Sequence, residues 1–317
     1  MTIKSYDVIV VGELNVDLIL NNLDSFPEIG KEKLAQNMNL SLGSSSAIFA
    51  CNLSSLGANV AFIGKIGNDY LGRFVMDKLH DKGVDVKYIL KDQNLNTGAT
   101  IVLNYNEDRA MVTYPGAMNN LTINDISEET LALGKHLHFS SFYLQPGLKK
   151  DIGKMFKLAK DLNMTTSFDM QWDPEEKWEL NYKEVLPFVD VFLPNEKELL
   201  NLTKESSVTE AFNKLSGSAN SIVVKMGSRG SLLYSEGKTN FRQPFLNTEV
   251  IDAIGAGDSF NAGFIFKFIN HADLNECQEF GNLMGAINTT AAGGTTAFTN
   301  YEHIMKIAEE TFRYKPE

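Results

Sequence analysis

The chain has 317 residues, 43% of them hydrophobic and 22% charged, enough to bury one large core or two smaller ones without disulfide or metal staples. Forty acidic residues against 29 basic give a formal charge of −11, which argues against a broad electrostatic grip on nucleic acid or an anionic membrane. The two cysteines, Cys51 and Cys277, are far apart with no Cys/His cluster, so neither a disulfide framework nor a zinc motif is expected.

No apolar run approaches the ~18 residues of a membrane helix; Gly263–Ile269 is short and holds Lys267. Residues 1–7 lack the basic and apolar regions of a signal peptide. The expectation is a soluble protein of a reducing cytoplasm, with neither nucleic acid nor membrane as partner.

In chain order, Tyr6–Gly12 is a β-rich apolar run that reads as a buried strand. Small and apolar residues over Ser46–Leu56 suit a helix stopped at Gly57. Val60–Gly64 reads as a strand and Leu71–Lys82 as a helix ending at Gly83. Such strand-then-helix units predict a largely parallel sheet covered on both faces. Gly98–Tyr105 and Ala110–Tyr114 then read as strands joined by a hairpin turn at 106–109. With Leu14–Asn22 and Leu34–Leu40 they are expected to form a small antiparallel sheet, a lid drawn from about 13–40 and 97–115. So small a sheet buries little alone. Covering a pocket and making a dimer contact are compatible roles for it. Alternation resumes with strands at Leu137–Phe139, Thr165–Asp169, Val189–Leu193, Ser221–Met226 and Ser231–Tyr234. Helices are expected at Lys149–Leu162, Glu196–Leu202, Val208–Leu215, Gly257–Asn270, Leu274–Thr290 and Tyr301–Phe312. Without repeats or Pro/Ser linkers, residues 1–317 read as a single α/β domain with an inserted lid.

The sharpest feature is Asp252-Ala-Ile-Gly255-Ala256-Gly257-Asp258, running into an apolar helix. Three small residues let backbone N–H groups turn toward one point, and the helix adds its free donors and positive dipole end. That combination suits a phosphoryl group. Asp258, in the first turn, is expected to be ionised by the dipole and able to take the proton of an attacking hydroxyl. A plain helix start with an N-terminal Asp is common. Two acids bracketing three small residues favour function.

This segment resembles the C-terminal signature of the ribokinase-like (PfkB) carbohydrate kinases, and other landmarks follow in family order. Gly12-Glu-Leu-Asn15-Val-Asp17 is similar to the first strand and its sugar-binding Asn-x-Asp, and Gly43–Gly57 to the N-terminal signature. Ile66–Gly72 and Gly83–Asp85 recur as in that family. Pro194–Glu198 resembles its Asn-x-x-Glu element, and Lys225-Met-Gly227-Ser228-Arg-Gly230 its nucleotide-binding strand and turn. The resemblance implies a ribokinase-like α/β fold, a largely parallel central sheet flanked by helices with a small β-sheet lid. It implies ATP and Mg2+, with Asp258 as general base and Gly255, Ala256 and Gly257 as the anion loop. Asn15, Asp17, Gly43 and Ser44 would face the sugar. Lys225, Gly227, Ser228, Gly230, Gly257, Asn195 and Asn282 would face the nucleotide. Asn195 and Glu198 would hold magnesium through water. A monovalent cation such as K+ would sit at Asp252, Ile254 and Gly293, although Ala297 stands where a hydroxyl is frequent.

The residues also have plainer readings. Asn15 and Asp17 point to one side of a strand end, where polar residues are ordinary. Glu198 suits a solvated helix face, Asn282 a surface amide, and Gly43-Ser44 or Gly227–Gly230 a simple turn. Ser44 and Ile48 depart from the usual Gly and Asn, which bears on sugar contacts rather than phosphate chemistry. Arg109, Lys31 and Lys33 are the main cations near the lid, too few for a sugar phosphate. The segment Phe168-Asp169-Met-Gln-Trp172-Asp173-Pro174 lacks the arginine of ketodeoxygluconate kinases, which lowers a sugar acid. The expected activity is phosphoryl transfer from ATP to an unphosphorylated sugar by a homodimer. The alternatives are a nucleoside kinase, with Ile48 and Phe49 against a base, and a non-catalytic sugar or nucleotide sensor.

Overall fold

In the computed structural model, which describes residues 4–105 and 108–315, thirteen strands are formed. They are β1 (Tyr6–Val11), β2 (Asn15–Asn21), β3 (Asn37–Leu42), β4 (Val60–Gly67), β5 (Ile89–Asp92), β6 (Gly98–Tyr105), β7 (Asp108–Tyr114), β8 (Gly134–Ser140), β9 (Thr165–Asp169), β10 (Val191–Phe192), β11 (Ser221–Lys225), β12 (Ser231–Ser235) and β13 (Lys238–Arg242). Nine of them make one sheet in the order β13-β12-β11-β10-β9-β8-β1-β4-β5. It is parallel from β11 through to β5 and antiparallel at β12 and β13.

The pleat explains why β1 is central. Val8 and Val10 pack with Phe62, Val223 and Phe264 on one face, while Ile9 and Val11 pack with Ile63, Phe139 and Phe168 on the other. A strand apolar on both sides belongs between two helical layers. Helices Ser45–Ser55 and Ala256–Ile269 cover the first face and Ile152–Asp161 the second. A third cluster, including Leu283, Ile287, Phe298 and Ile304, seats helices Leu274–Asn288 and Tyr301–Phe312.

The second sheet has the order β3-β2-β6-β7. Its outer pairs are antiparallel, but β2 and β6 run parallel, Asn15 opposite Gly98, so the expectation of a wholly antiparallel lid is corrected. No hairpin joins those two strands; the chain makes β4 and β5 between them, so no tight turn dictates their direction. Of the expected turn at 106–109, residues 106 and 107 lie outside the described residues. The third lid strand begins at Asn37 rather than Leu34, because its pairing with β2 starts at Asn21–Asn37. Short edge strands β5 and β13 carry little apolar pattern and escape the sequence reading. Among the described residues no helix is long and apolar enough to cross a membrane, and both cysteines are free and buried.

Candidate active site

The carboxyl ends of β1, β8, β9 and β11 deliver Glu13, Ser140, Asp169 and Lys225 to one edge of the main sheet, where open α/β sheets leave a crevice. The N-terminus of helix Ala256–Ile269 closes on this edge. A Cβ built on Gly257 would lie 3.8 Å from Lys225 Nζ.

Gly255 is the N-cap of that helix, with φ +78°. A Cβ there would stand 2.6 Å from Gly294 Cα and 3.2 Å from Ile48 Cγ2, so both conformation and space require glycine. No side chain caps this helix. The amides of Gly257 and Asp258 fall in its first turn, where the helix offers no i−4 acceptor. The Ala256 amide, however, donates to the Ala253 carbonyl (3.2 Å), so the expected trio of convergent donors loses its middle member to the turn itself.

Asp258 is only 7% exposed. Burial first, then the Asp169 carboxylate, push its carboxyl up to about 8, with Lys225 opposing and Glu13 adding to the rise. Desolvation and the two neighbouring acids, which the helix position of Asp258 does not reveal, act against the dipole. Gln171, left-handed at φ +60°, donates from Nε2 to Asp258 Oδ1 (3.0 Å) and to Asp169 Oδ2 (3.1 Å), joining the two acids. Asp169, fully buried, also accepts from Asn261 Nδ2 (2.6 Å) and pairs with Lys225 Nζ (2.5 Å). Burial works to lower the Lys225 ammonium, but Asp169 and Glu198 more than offset it and hold it above its ordinary value. One buried cation thus serves several buried acids.

Asn195 and Glu198 form a capping box: Asn195 Oδ1 accepts the Glu198 N–H (2.9 Å) and Glu198 Oε2 accepts the Asn195 N–H (2.8 Å). Glu198 is buried, not solvated, and burial followed by the Asp169 charge raises it to about 7. Asn195 also bridges to Lys225. Among the described residues no group of three or more His, Cys, Asp and Glu is placed to hold a metal directly. A hard ion that keeps its waters and leans on phosphate oxygens fits an edge where buried Glu198 faces Asp169 and is otherwise bonded through Oε2 to the Asn195 N–H.

On the lid side, Asn15 Nδ2 donates to Asp17 Oδ1 (3.1 Å) and to Thr100 Oγ1 (3.1 Å). Burial raises Asp17 to about 6, against the help of Asn15 and the Arg109 charge. Gly43 lies against this pair, since a Cβ there would come within 2.6 Å of Asn15 Nδ2. Ser44 adopts φ +70°, ψ +116°, a strained place for a non-glycine residue. Its hydroxyl donates to the Glu13 carbonyl (2.6 Å) and accepts the Ala47 N–H (3.0 Å), offsetting that strain. Glu13 is buried, which raises its carboxyl; it takes hydrogen bonds from Ser46 Oγ and the Ser46 N–H.

Behind the anion loop, a cavity of about 310 Å³ is lined by Lys225, Gly227, Ser228, Gly230, Gly257 and Asn282, with apolar walls from Leu246, Val250 and Phe260. Six of the seven residues expected at the nucleotide therefore line one cavity, Asn195 lying outside its lining. Asn282 is buried rather than a surface amide, and its Nδ2 donates to the Gln243 carbonyl (3.2 Å). A larger open groove of about 910 Å³ is lined by apolar residues such as Phe142, Val185 and Leu202 and by lysines, Lys154, Lys157, Lys177 and Lys214 among them. Those four lysines are paired with Asp151, Asp161, Glu175 and Glu205. Ile48 packs beneath Gly255 and Gly294, and Phe49 stacks on buried His138 (3.7 Å), so neither offers a face to a base.

The sequence reading assigns no role to Glu13, Gln171 or Asn261. Glu13 and Gln171 lie within quoted motifs, but only the fold shows them converging on Asp258.

A family model described as pfkB family carbohydrate kinase matches residues 5–300. The chain is 27% identical to a 5-dehydro-2-deoxygluconokinase of Lacticaseibacillus casei, covering 97% of each chain. It superimposes with a TM-score of 0.83 on an Arabidopsis thaliana ribokinase complexed with ribose and ATP, at 21% identity, over 96% of this chain and 98% of that one. It gives the same score with a putative ribokinase II of E. coli in complex with ATP and Mg2+, at 22% identity, over 96% of this chain and 99% of that one.

Proposed function

The chain belongs to the pfkB family of carbohydrate kinases, and on that premise we propose that it transfers the γ-phosphoryl group of ATP to a hydroxyl of an unphosphorylated sugar. The observation that carries this reading is Asp258, buried in the first turn of an uncapped helix beside Lys225, next in sequence to Gly257 on the cavity that holds most of the expected nucleotide residues.

In the proposed reaction, ATP lies in the 310 Å³ cavity against Gly227, Ser228, Gly230 and Asn282. The sugar lies between Asn15, Asp17, Gly43 and Ser44 on the lid and Asp258 on the main sheet. Asp258 accepts the hydroxyl proton as that oxygen attacks the γ-phosphorus; the bond to the β-phosphate oxygen breaks and ADP leaves. Lys225 and the loop of Gly255, Ala256 and Gly257 stabilise charge on the transferred group, mainly through the first-turn amides. Magnesium, held through water by Glu198 and Asn195, would neutralise the β- and γ-phosphate oxygens.

The acceptor side is acidic. Glu13, Asp17, Asp169 and Asp258 surround it, with Arg109 near Asp17 and Lys225, already paired with Asp169, as the facing cations. Lys31 is paired with Glu28 in an exposed loop. This balance disfavours a phosphorylated or carboxylated acceptor, although the L. casei relative is named for a sugar acid. The nucleoside reading loses its support with Ile48 and Phe49 in the core. An intact Asp258–Lys225 site speaks against a non-catalytic sensor.

We also take the chain as one domain working as a cytoplasmic homodimer through the lid, whose Ile101, Met111, Val112 and Tyr114 are exposed apolar residues. Light scattering at micromolar concentration tests the dimer, and a monomer removes it. The activity is tested by ADP release across pentoses, hexoses, sugar acids, sugar phosphates and nucleosides, with Asp258→Asn alongside. The expected result is turnover of a neutral sugar, cut by orders of magnitude in the variant while ATP binding survives. Near-normal turnover in Asp258→Asn would overturn the reading.

A further inference from the structure

The anion loop is gripped from behind by amides of the chain itself. Asn288, fully buried at the end of helix Leu274–Asn288, donates from Nδ2 to the Ile254 carbonyl (2.7 Å), and its Oδ1 accepts from Ser259 Oγ (2.9 Å). Ser259 Oγ accepts from Asn52 Nδ2 (2.9 Å), which also donates to the Gly294 carbonyl (2.9 Å). From the other side Asp252 takes the Ile254 N–H on Oδ1 and the Gly293 N–H on Oδ2, each at 2.9 Å. Ile254 is thus fixed at both its amide and its carbonyl, and the loop is fastened to the Gly293–Gly294 turn.

A monovalent cation at Asp252, Ile254 and Gly293 would need oxygens turned toward it and short of donors. Both Asp252 oxygens and the Ile254 carbonyl instead accept N–H groups at 2.7–2.9 Å. These residues do not fit a cage for K+. We propose that Asn288, backed by Ser259 and Asn52, is a positioning residue that orders the anion loop in place of a bound cation. The mechanism is geometric. A trans peptide points its C=O and the following N–H in opposite directions. By holding the Ile254 carbonyl inward, Asn288 turns the Gly255 N–H away from helix Leu274–Asn288. The tethered amide presents the positive end of its dipole to that carbonyl, as a cation would, but needs no ion from solution.

This inference rests on the kinase reading, so its test separates the two. Binding of ATP with Mg2+, the melting temperature and the kinetics with the sugar acceptor are measured in KCl, NaCl and choline chloride at equal ionic strength. The wild type is expected to bind ATP and turn over within about twofold in all three salts, with no K+-specific shift in melting. Asn288→Ala is expected to lose at least about tenfold in kcat, with KM for the sugar unchanged, at a temperature where it stays folded. Should that variant not fold, Ser259→Ala, which removes the hydroxyl bonded to Asn288 Oδ1 and to the Gly255 carbonyl (2.8 Å), tests the same tether. A wild type that binds ATP in every salt but turns over only in KCl, or a folded Asn288→Ala with unchanged kcat, would overturn the inference alone. Absence of ATP binding in all salts would overturn the kinase reading and the inference with it.

Discussion

Gln171→Asn tests the electrostatics of the site most directly. Asparagine tolerates the left-handed backbone at this position, φ +60°, but withdraws the carboxamide by one methylene from Asp258. The native Gln171 Nε2 donates to Asp258 Oδ1 at 3.0 Å, and a donor to a carboxylate favours its charged form. Hydrogen bonds to charged groups are worth about 1.5–3 kcal/mol, and a pKa unit is worth about 1.36 kcal/mol. The loss therefore moves the Asp258 carboxyl upward by roughly one to two units from its position near 8. With that starting value, about a tenth of the native enzyme carries the ionised base at pH 7. The ascending limb of kcat/KM for the sugar is expected to shift alkaline by the same amount, a loss of about ten- to a hundredfold at pH 7 that narrows toward pH 10. ADP release followed between pH 6 and 10 measures it. A loss equal at every pH, or no loss, would refute the assignment of Gln171 to the ionisation of Asp258.

The ligand-free protein should melt at a lower temperature at pH 8.5 than at pH 6.5. Native Asp258, Glu198 and Asp17, raised to about 8, about 7 and about 6, retain protons that the unfolded chain gives up nearer pH 4, so stability falls as pH rises through those values. Buried His136, lowered to about 3, and His138, also lowered, act in the opposite sense as pH rises through the unfolded imidazole range of about 6.5, an effect confined to the lower end of this window and smaller than that of the acids. A flat or rising melting curve over the range would contradict the burial of these acids. Gly255→Ala places a Cβ 2.6 Å from Gly294 at a left-handed residue; a cost of about 1–3 kcal/mol or more in urea unfolding is expected, with loss of ATP binding. Asp173→Ala strips the acceptor from the N–H groups of Glu175, Lys177 and Trp178, for an expected loss of about 3 kcal/mol and altered fluorescence of the Trp172–Trp178 pair; an unchanged urea midpoint would show that the loop stands without it.

The main sheet was legible because its strands are apolar on both faces and bounded by glycine, as in Tyr6–Val11 before Gly12. β5 and β13 were not, since short edge strands carry no strong pattern. The direction of β2 against β6 is a long-range pairing that no local turn encodes. Asp252–Asp258 announced itself because glycines, two acids and a helix start coincide in seven residues. The protonation of Asp258 did not, because the carboxylates that raise it, Asp169 and Glu13, are distant in sequence and converge only at the sheet edge. Asn195 and Glu198 could be placed by motif, yet the same spacing is also a capping box, and the structure shows that box formed.

The route from β1 into β2 passes through Gly12, Glu13 and Leu14 alone. Glu13 is moored to Ser46 at the start of a core helix, whereas Asn15 and Asp17 already ride on the four-stranded sheet. A swing of that sheet about this short pivot would therefore transport a captured acceptor instead of merely roofing it over. The travelling half of the cleft would bring its cargo to a stationary Asp258, so alignment for transfer would depend on something having been picked up.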